Sequence, residues 1–464
     1  MRQAKILITL GPSSSDVDTL KRLVSAGASG FRLNFSHGTH EEHRARAELV
    51  RLVGSQMGLE LAILGDLCGP KLRVGRFGGK PATLTKGATF TLTTQDIVGD
   101  ENQVSISYPL DKDLSVGDCL LLDDGLISMT VEQVTPGKVT CRVIVGGVLS
   151  DHKGVNVPNV RLSTSAITEK DEADIEFGRA IGVDWFALSF VRDAADVVRC
   201  KALAGPVPVI AKLEKPEAVE HLSAIIDAAD GIMVARGDLG VEVGPERVPV
   251  IQKRAIDLAN REGKLVITAT QMLDSMMRNP RPTRAEASDV ANAIFDGSDV
   301  VMLSGETAVG QYPVEAVEMM RAIIEQVEQS EQYLSRSLPT VYGSAWQSDN
   351  ATARAAATLS RNVKLAALVV LASDAEWLDV IADYRPLAPI VALVKDAGLA
   401  RRVALQWGIT CHVISMPQSQ EALIELAETK VRETLATPQG EDIAILAPCL
   451  PQQLGRTLTL WKLR

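Results

Sequence analysis

A lysine and two carboxylates stand at the ends of two apolar, strand-like runs of the chain. Lys212 and Glu214 flank Leu213 after one run, and Asp238 follows the next one. Because side chains alternate along a strand, Lys212 and Glu214 should point to the same side. Two hard oxygen ligands that leave room for substrate oxygens are typical of Mg²⁺ bound with a phosphate. The ammonium beside them suits a transferring phosphoryl group or a developing enolate, whereas a salt-bridged rim is the structural alternative.

Other polar residues follow neighbouring strand-like runs. Arg32 offers a planar fork of donors that suits a phosphate, although a surface ion pair is the alternative. His37 could donate to a phosphate or cap the loop at Gly38. Gly237, beside Asp238, would let backbone N–H groups approach an anion, but an isolated glycine pattern is a weak signal. So much charge on one rim indicates a functional site.

The elements that must position these residues alternate regularly. Apolar, β-branched runs predict eight strands at residues 5–10, 30–35, 61–66, 184–190, 208–212, 231–235, 265–270 and 299–303. Amphipathic stretches between them predict helices at residues 16–26, 41–54, 169–181, 194–203, 216–228, 245–261 and 284–295. Eight alternating units favour a (β/α)₈ barrel, on which catalytic groups gather at the carboxyl ends of the strands.

Two segments depart from this alternation. Residues 71–160 are rich in Thr, Val, Gly and turn signals, which predicts a small β-barrel inserted into the main barrel as a lid over the active face. After a polar stretch at residues 342–350, the chain predicts a separate α/β domain. The predicted division is therefore 1–70 with 161–343 for the catalytic barrel, 71–160 for the lid and 344–464 for the C-terminal domain.

Composition limits the class of protein. The 464 residues are too many for one ordinary core, and a net charge of −10 argues against general nucleic-acid binding. No stretch approaches the length of a membrane span, and the scattered cysteines suit a reducing compartment. We therefore expect a soluble, cytoplasmic protein that binds neither nucleic acid nor membranes.

Several long motifs, in order, resemble pyruvate kinase. They occupy residues 31–38, 211–214, 231–240, 268–272, 279–292 and 302–307, with looser agreement in the lid and the C-terminal domain. The resemblance implies transfer of the phosphoryl group of phosphoenolpyruvate to ADP in glycolysis, with pyruvate and ATP as products. It also implies a homotetramer and a requirement for Mg²⁺, for which Mn²⁺ can substitute.

The resemblance assigns roles position by position. Lys212 is expected to stabilise the transition state, Glu214 and Asp238 to bind Mg²⁺, and Thr270 to lie on the proton path to the enolate. The positions that match phosphoenolpyruvate contacts are Arg32, Lys212, Gly237, Asp238 and Thr270. The positions that match nucleotide contacts are Asn34, His37, Arg73, Lys153 and, on the lid, Asp124.

Two departures from the family pattern carry further expectations. Many members bind K⁺ through Asn, Ser, Asp and Thr side chains and carry Glu a few residues later. Here Asn34, Ser36 and Asp66 remain, Leu67 replaces the Thr and Lys71 replaces the Glu. We expect the Lys71 ammonium to replace K⁺, as in K⁺-independent members; a solvated hinge lysine is the alternative.

The second departure lies in the C-terminal domain. Sugar-phosphate-regulated members have a Ser/Thr/Gly loop there, whereas residues 371–377 of this chain include Asp374 and Glu376. These carboxylates should repel a dianion, so we expect no activation by fructose-1,6-bisphosphate. Two other functions stay open: a Mg²⁺-dependent lyase or aldolase acting on pyruvate enolates, and a catalytically inactive relative that senses a metabolite.

Overall fold

The computed structural model describes residues 2–335, 348–435, 439–448 and 455–464. The predicted boundary at residues 342–350 therefore lies partly outside the described residues. The strands of the described residues are β1 (Lys5–Thr9), β2 (Gly30–Asn34), β3 (Ala62–Asp66), β4 (Ala82–Leu84), β5 (Thr89–Thr93), β6 (Gln103–Ser105), β7 (Cys119–Leu122), β8 (Ile127–Thr135), β9 (Lys138–Val145), β10 (Gly147–Leu149), β11 (Val155–Asn156), β12 (Trp185–Leu188), β13 (Val209–Leu213), β14 (Gly231–Ala235), β15 (Leu265–Ala269), β16 (Val300–Leu303), β17 (Leu365–Leu371), β18 (Ile390–Val394), β19 (Ile409–Val413), β20 (Asp442–Pro448) and β21 (Arg456–Lys462).

Helices separate most of these strands. In the described residues they are α1 (Val17–Ala26), α2 (His40–Met57), α3 (Glu169–Ala180), α4 (Ala194–Ala204), α5 (Pro216–Glu220), α6 (Leu222–Ala228), α7 (Arg236–Val243), α8 (Val248–Arg261), α9 (Arg284–Asp296), α10 (Gly305–Ala308), α11 (Pro313–Glu328), α12 (Glu331–Leu334), α13 (Ser348–Asn362), α14 (Ala375–Asp383), α15 (Ala397–Val403) and α16 (Gln420–Leu435). None of the helices in the described ranges is long and apolar enough to cross a membrane.

The predicted (β/α)₈ barrel is confirmed. Strands β1, β2, β3 and β12 to β16 form a closed barrel, and neighbours in the barrel follow chain order. Most of their residues are buried, because one face packs on the helices and the other fills the barrel. All the carboxyl ends therefore open on one rim.

Two helices differ from their predictions. The helix predicted at 216–228 is broken at His221, whose ψ of 19° ends α5 before α6 begins. Helix α7 was not predicted, because its two glycines, Gly237 and Gly240, read as turn residues. It starts immediately after β14 and carries Asp238 in its first turn.

The inserted lid lies between β3 and β12. Strands β5 to β9 and β11 form one curled six-stranded sheet, and β4 pairs with β10. These strands enclose a core of their own, which includes Phe90, Leu120 and Met129. The prediction of a small β domain at this position is confirmed.

The C-terminal α/β domain is also confirmed. Its sheet has the order β19-β18-β17-β20-β21, in which the first four strands are parallel and β21 is antiparallel. Separate apolar clusters cover the two faces, one with Trp377 of α14 and the other with Leu423 of α16. The antiparallel edge strand β21 was not predicted.

Candidate active site

The rim of the barrel brings together most of the predicted catalytic residues. They come from β2, β3, β13 and the segments that follow β14 and β15, and they are Arg32, Asp66, Lys212, Glu214, Asp238 and Thr270. Lys212 lies next to Met233 of β14 in the barrel register, so the β13 and β14 ends are neighbours. The adjacency expected from the sequence follows from this parallel register.

Lys212 is the best-enclosed cation of this rim. Its Nζ lies 2.9 Å from Glu214 Oε1 and 3.3 Å from Asp66 Oδ1, and it donates to Ser189 Oγ at 2.7 Å. Burial lowers the pKa of Lys212, but the two carboxylates outweigh burial and leave this pKa above its ordinary value. The ammonium is therefore charged at every physiological pH.

Arg32 and Asp66 form a second buried pair. Arg32 Nε lies 2.6 Å from Asp66 Oδ2, and Arg32 Nη1 donates to Thr9 Oγ1 at 3.1 Å. Burial raises the pKa of Asp66, but Lys212 and Arg32 outweigh it, and the net shift is downward. Asp66 thus fixes both cations through opposite oxygens.

Glu214 and Asp238 have the chemistry of Mg²⁺ ligands. Glu214 is fully buried; its Oε2 accepts from the Phe190 N–H at 2.8 Å, and its Oε1 lies 2.9 Å from Lys212 Nζ. Burial raises the pKa of Glu214; Lys212 opposes this and Asp238 reinforces it. A divalent cation would relieve both effects, so the residues fit the ion.

Two carboxylates do not complete a metal shell. The described ranges contain no group of three or more His, Cys, Asp or Glu side chains that could hold a metal ion. Mg²⁺ commonly keeps water and substrate oxygens besides one or two carboxylates. Glu214 and Asp238 would supply the two carboxylates of such a coordination shell.

Lys71 contacts Asp238 rather than Asp66. Its Nζ lies 2.9 Å from Asp238 Oδ1, and this contact is the main reason that the Asp238 pKa is lowered in spite of burial. Burial, Arg73, Arg32 and Lys71 lower the pKa of His37, in that order. Lys71 therefore lies between the predicted metal ligands and the predicted nucleotide contacts.

The remaining residues of the predicted monovalent-cation region lie at the carboxyl ends of β2 and β3. Asn34 Oδ1 accepts from the Ser36 N–H at 3.2 Å, so this amide stabilises the turn itself. Leu67, which follows Asp66, is buried and contributes no side-chain oxygen. The turn and Asp66 are adjacent because Asn34 is opposite Asp66 in the register of β2 and β3.

The lid contributes the other predicted nucleotide contacts. Arg73 Nη1 donates to the His152 carbonyl at 3.0 Å, and Lys153 Nζ lies 2.8 Å from Asp123 Oδ1. Asp123 and Asp124 both have a left-handed backbone, with φ of 51° and 53°. Arg73 and Lys153 have partners on the lid, and the Arg73 charge lowers the pKa of His37 on the barrel side.

Asp124 of the lid nevertheless lies close to Lys71, at the start of the lid segment. A Cβ on Gly154 would lie 3.7 Å from Lys71 Cε and 4.0 Å from Asp124 Oδ1. The lid tip and Lys71 thus meet at the same glycine. Closer to the barrel, Asn156 Nδ2 donates to Glu242 Oε1 at 2.8 Å, and Lys215 Nζ lies 2.7 Å from the same oxygen.

Gly237 and Thr270 contact each other across the rim. A Cβ on Gly237 would lie 2.7 Å from Thr270 Cγ2, so even alanine would displace the threonine. Thr270 is half-buried, with a left-handed φ of 75°. This close approach explains the glycine better than the anion contact that the sequence suggested.

Sequence reasoning missed two residues of the site. Ser189 accepts from Lys212 and donates to the Leu67 carbonyl at 2.7 Å, and Arg236 contacts the segment after β15. Ser189 was the next-to-last residue of the strand predicted at 184–190, but it carries no charge to attract attention. Only its position at the end of a barrel strand could have revealed it.

A (β/α)₈ barrel whose rim holds a buried lysine between carboxylates, under a β lid, defines a class of phosphotransferases. Residues 1–317 match the family model "Pyruvate kinase, barrel domain", and residues 350–460 match "Pyruvate kinase, alpha/beta domain". This chain belongs to the pyruvate kinase family.

Individual relatives agree with the family models along nearly the whole chain. The pyruvate kinase of Geobacillus stearothermophilus is 43% identical over 98% of this chain and 79% of its own length. That of Clostridium acetobutylicum is 39% identical over 100% of this chain and 99% of its own length. That of Mycobacterium tuberculosis is 40% identical over 98% and 97%.

Proposed function

We propose that this protein transfers the phosphoryl group of phosphoenolpyruvate to ADP, giving pyruvate and ATP in glycolysis. The observation that carries the proposal is the buried Lys212 ammonium, held by Asp66, Glu214 and Ser189 at the centre of the rim. Fixed charges of this kind stabilise charge that develops during reaction, without reorganisation at that moment. The names of the relatives support the same reaction.

The residues divide the work between binding and charge stabilisation. Arg32 and Lys212 bind the phosphate of phosphoenolpyruvate, and the Gly237 and Asp238 segment lies beside its carboxylate. A Mg²⁺ ion held by Glu214 and Asp238, or Mn²⁺ in its place, would neutralise charge on the substrate oxygens. As the phosphorus–oxygen bond to the enol oxygen breaks, an oxygen of the ADP β-phosphate takes the phosphoryl group.

The second half of the reaction is protonation. The enolate left by phosphoryl transfer gains a proton at its methylene carbon and becomes pyruvate. The Thr270 hydroxyl lies on the proton path to this carbon, while Lys212 stabilises the enolate oxygen.

The nucleotide is assigned to the cleft between barrel and lid. Asn34 and His37 contact its phosphates from the barrel, and Arg73 and Lys153 contact them from the lid. Asp124 on the lid would close over the second, nucleotide-bound Mg²⁺. The ion pair of Lys153 with Asp123 would open when the nucleotide binds, since a phosphate is the better partner.

Lys71 is proposed to replace K⁺ in the region formed by Asn34, Ser36 and Asp66. Two observations support this role: Leu67 contributes no side-chain oxygen to that region, and the Lys71 charge lowers the pKa of His37. The ammonium itself contacts Asp238. Turnover in K⁺-free Tris or tetramethylammonium buffer should equal turnover in K⁺. A large activation by K⁺ would contradict the role of Lys71.

No activation by fructose-1,6-bisphosphate is proposed. Asp374 Oδ1 accepts from the Trp377 N–H at 3.0 Å and caps α14, and Ser373 Oγ donates to Asp374 Oδ2. An internal carboxylate thus occupies the helix N-terminus where a phosphate would bind. A sigmoidal phosphoenolpyruvate curve made hyperbolic by this sugar would contradict the proposal.

The wider organisation is also proposed from the family. The domain boundaries at 70/71, 160/161 and 343/344, a homotetramer and a cytoplasmic location belong to this proposal. The last boundary falls outside the described residues. Sedimentation of the purified chain tests the tetramer.

A coupled assay separates the proposed reaction from the alternatives. It follows ATP and pyruvate formed from phosphoenolpyruvate and ADP in the presence of Mg²⁺. A lyase or aldolase would yield no ATP, and an inactive sensor would turn over neither substrate. ATP formed in equal amount to pyruvate supports the proposal, and phosphoenolpyruvate consumed without ATP contradicts it.

A further inference from the structure

The chain after β15 turns through two consecutive residues in the left-handed region. Thr270 has φ of 75° and Gln271 has φ of 54°. Residues with a side chain rarely adopt this conformation, and a β-branched residue does so least readily. Such strain persists only where surrounding groups impose it. The segment therefore needs a restraint from outside its own backbone.

Arg236, the first residue of α7, supplies that restraint. Its Nε donates to the Ala269 carbonyl at 3.1 Å, and its Nη2 donates to the Thr270 carbonyl at 2.8 Å. One rigid fork thus binds two successive carbonyls on either side of the Thr270 backbone. Nη2 also lies 2.8 Å from Met272 Sδ, beyond the turn.

The guanidinium is itself fixed. Its side chain is 12% exposed, and Nη1 lies 2.6 Å from Asp289 Oδ1 of α9. Gln252 Oε1 of α8 accepts from the same nitrogen at 3.5 Å. Contacts from α8 and α9 therefore hold the fork in place. The glycine that follows Arg236 leaves room for the Thr270 methyl group.

We propose that Arg236 is a positioning residue, whose guanidinium fixes the Thr270 backbone so that the hydroxyl faces the enolate carbon. This inference rests on the proposed function, because it assigns Thr270 to proton delivery. All three nitrogens of the Arg236 guanidinium donate to protein groups, so it would act through Thr270. A lysine at this position would keep the charge but could not bind both carbonyls in one plane.

The test is a double-mutant cycle with Arg236→Lys and Thr270→Ala. Arg236→Lys should lower kcat by on the order of 10²-fold, the scale of a 1 Å misplacement, and leave the KM for ADP unchanged. Exchange of the pyruvate methyl protons with D₂O should fall in parallel. In the double variant, Arg236→Lys should add nothing to the loss from Thr270→Ala, because both act through one hydroxyl.

Two further variants control for the effect of the substitution itself and for loss of folding. Arg254→Lys makes the same change on the exposed face of α8 and should behave as wild type. If Arg236→Lys does not fold, Asp289→Asn loosens the same fork and should give a smaller loss with the same non-additivity. Losses that multiply in the double variant, or a kcat for Arg236→Lys equal to wild type, would overturn the proposal.

A crystal structure can test the restraint by Arg236 independently of the reaction that the protein catalyses. If the wild type forms no ATP from phosphoenolpyruvate and ADP, the proposed function fails, but the restraint can still be tested. A crystal structure of Arg236→Lys should show residues 270 and 271 displaced from the left-handed region. The same φ values in variant and wild type would overturn the restraint.

Discussion

At the scale of single residues, the site works through opposed electrostatic effects around buried groups. Burial alone would discharge both Lys212 and Asp66, since each pKa would move toward the neutral form. Each is instead the counter-charge that keeps the other ionised. Glu214 is the exception, because burial and Asp238 together raise its pKa. Lys212, 2.9 Å from Glu214 Oε1, lowers this pKa but does not offset burial and Asp238.

Lys212→Met tests the role of the fixed cation. Loss of the ammonium should lower ATP formation by about 10³-fold or more, the upper range for removal of one electrostatic group. Binding of Mg²⁺ and phosphoenolpyruvate should stay detectable by calorimetry. Lys201→Met, which removes a half-exposed lysine on α4, is the matched control. A Lys212→Met variant with activity close to that of the control would contradict the assignment.

The sequence predicted the site residues that strand alternation and strand order place side by side. Alternation about Leu213 and the order of the strands were enough to bring Lys212, Glu214 and Asp238 together. Ser189 and Arg236 escaped, because their partners lie on other strands and depend on the barrel register. The contact of Lys71 with Asp238 also joins residues far apart in the chain, and no local pattern encodes it.

At the scale of elements, the lid is tied to the barrel by a small polar cluster. Asn156 at the end of the lid donates to Glu242 of α7, which also pairs with Lys215. Glu242 is almost fully buried, so each partner it loses leaves charge without compensation. The same helix, α7, carries Arg236 and Asp238 on its first turn. The proposed metal ligand Asp238, the proposed restraint Arg236 and the lid contact of Glu242 thus lie on one short helix.

Asn156→Ala should weaken this tie. Leaving Glu242 one hydrogen bond short costs about 1–3 kcal/mol, which calorimetry should record as a lower Tm. Asn102→Ala, at an exposed lid position, is the matched control and should leave Tm unchanged. Equal Tm values for the two variants would show that the contact does not hold the lid.

The sequence predicted helices and strands correctly where the apolar residues recur with a clear period. It missed elements whose formation depends on contacts with distant parts of the chain. All eight barrel strands followed from apolar, β-branched runs. Helix α7 did not, because Gly237 and Gly240 have low helix propensity, and the first of them is required by its close approach to Thr270. The antiparallel strand β21 pairs with β20 along its whole length, and Gly455 directly before it, with φ of 76°, was the turn signal that could have marked its start.

At the scale of the whole molecule, the C-terminal domain closes the far end of the barrel. Leu405 belongs to the apolar cluster inside the barrel, beside Leu7 and Trp185. Trp185 Nε1 donates to the Arg402 carbonyl at 2.9 Å, and Arg385 pairs with Asp299 at 2.5 Å. The sequence predicted a separate domain, whereas its side chains complete the barrel core.

Leu405→Ala should therefore destabilise both domains together. A buried leucine reduced to alanine costs about 2–5 kcal/mol, and the cavity would open inside the barrel. Leu460→Ala, at a residue 49% exposed, should change stability by less than about 0.5 kcal/mol. Equal urea midpoints for the two variants would contradict a role of Leu405 in the core of the barrel.

The joint between the domains should also make stability depend on pH. Burial raises the pKa of Asp379 to about 7, against the effects of Arg402 and Gln406; Asp230 and Asp299 add to the rise. Gln406 Nε2 donates to Asp379 Oδ1 at 2.7 Å, and Arg402 Nη2 lies 3.8 Å from Asp379 Oδ2.

The sign of this dependence is fixed. Because the folded state binds the Asp379 proton more tightly, the contribution is present at low pH and is lost between about pH 4 and 7. Relative to Asp379→Asn, wild-type unfolding free energy should fall across that interval by at most about 1.4 kcal/mol per pH unit. A difference that rises with pH in urea titrations would contradict the burial of this carboxyl.

The most direct test of the whole account is an initial-rate assay of ATP formation from phosphoenolpyruvate and ADP, with and without K⁺. Wild type and Lys71→Glu are compared in Mg²⁺ with tetramethylammonium as the replacement cation. The account predicts equal wild-type rates in both buffers and a Lys71→Glu variant that is active only with K⁺. A wild type that forms no ATP, or one that requires K⁺, would contradict it.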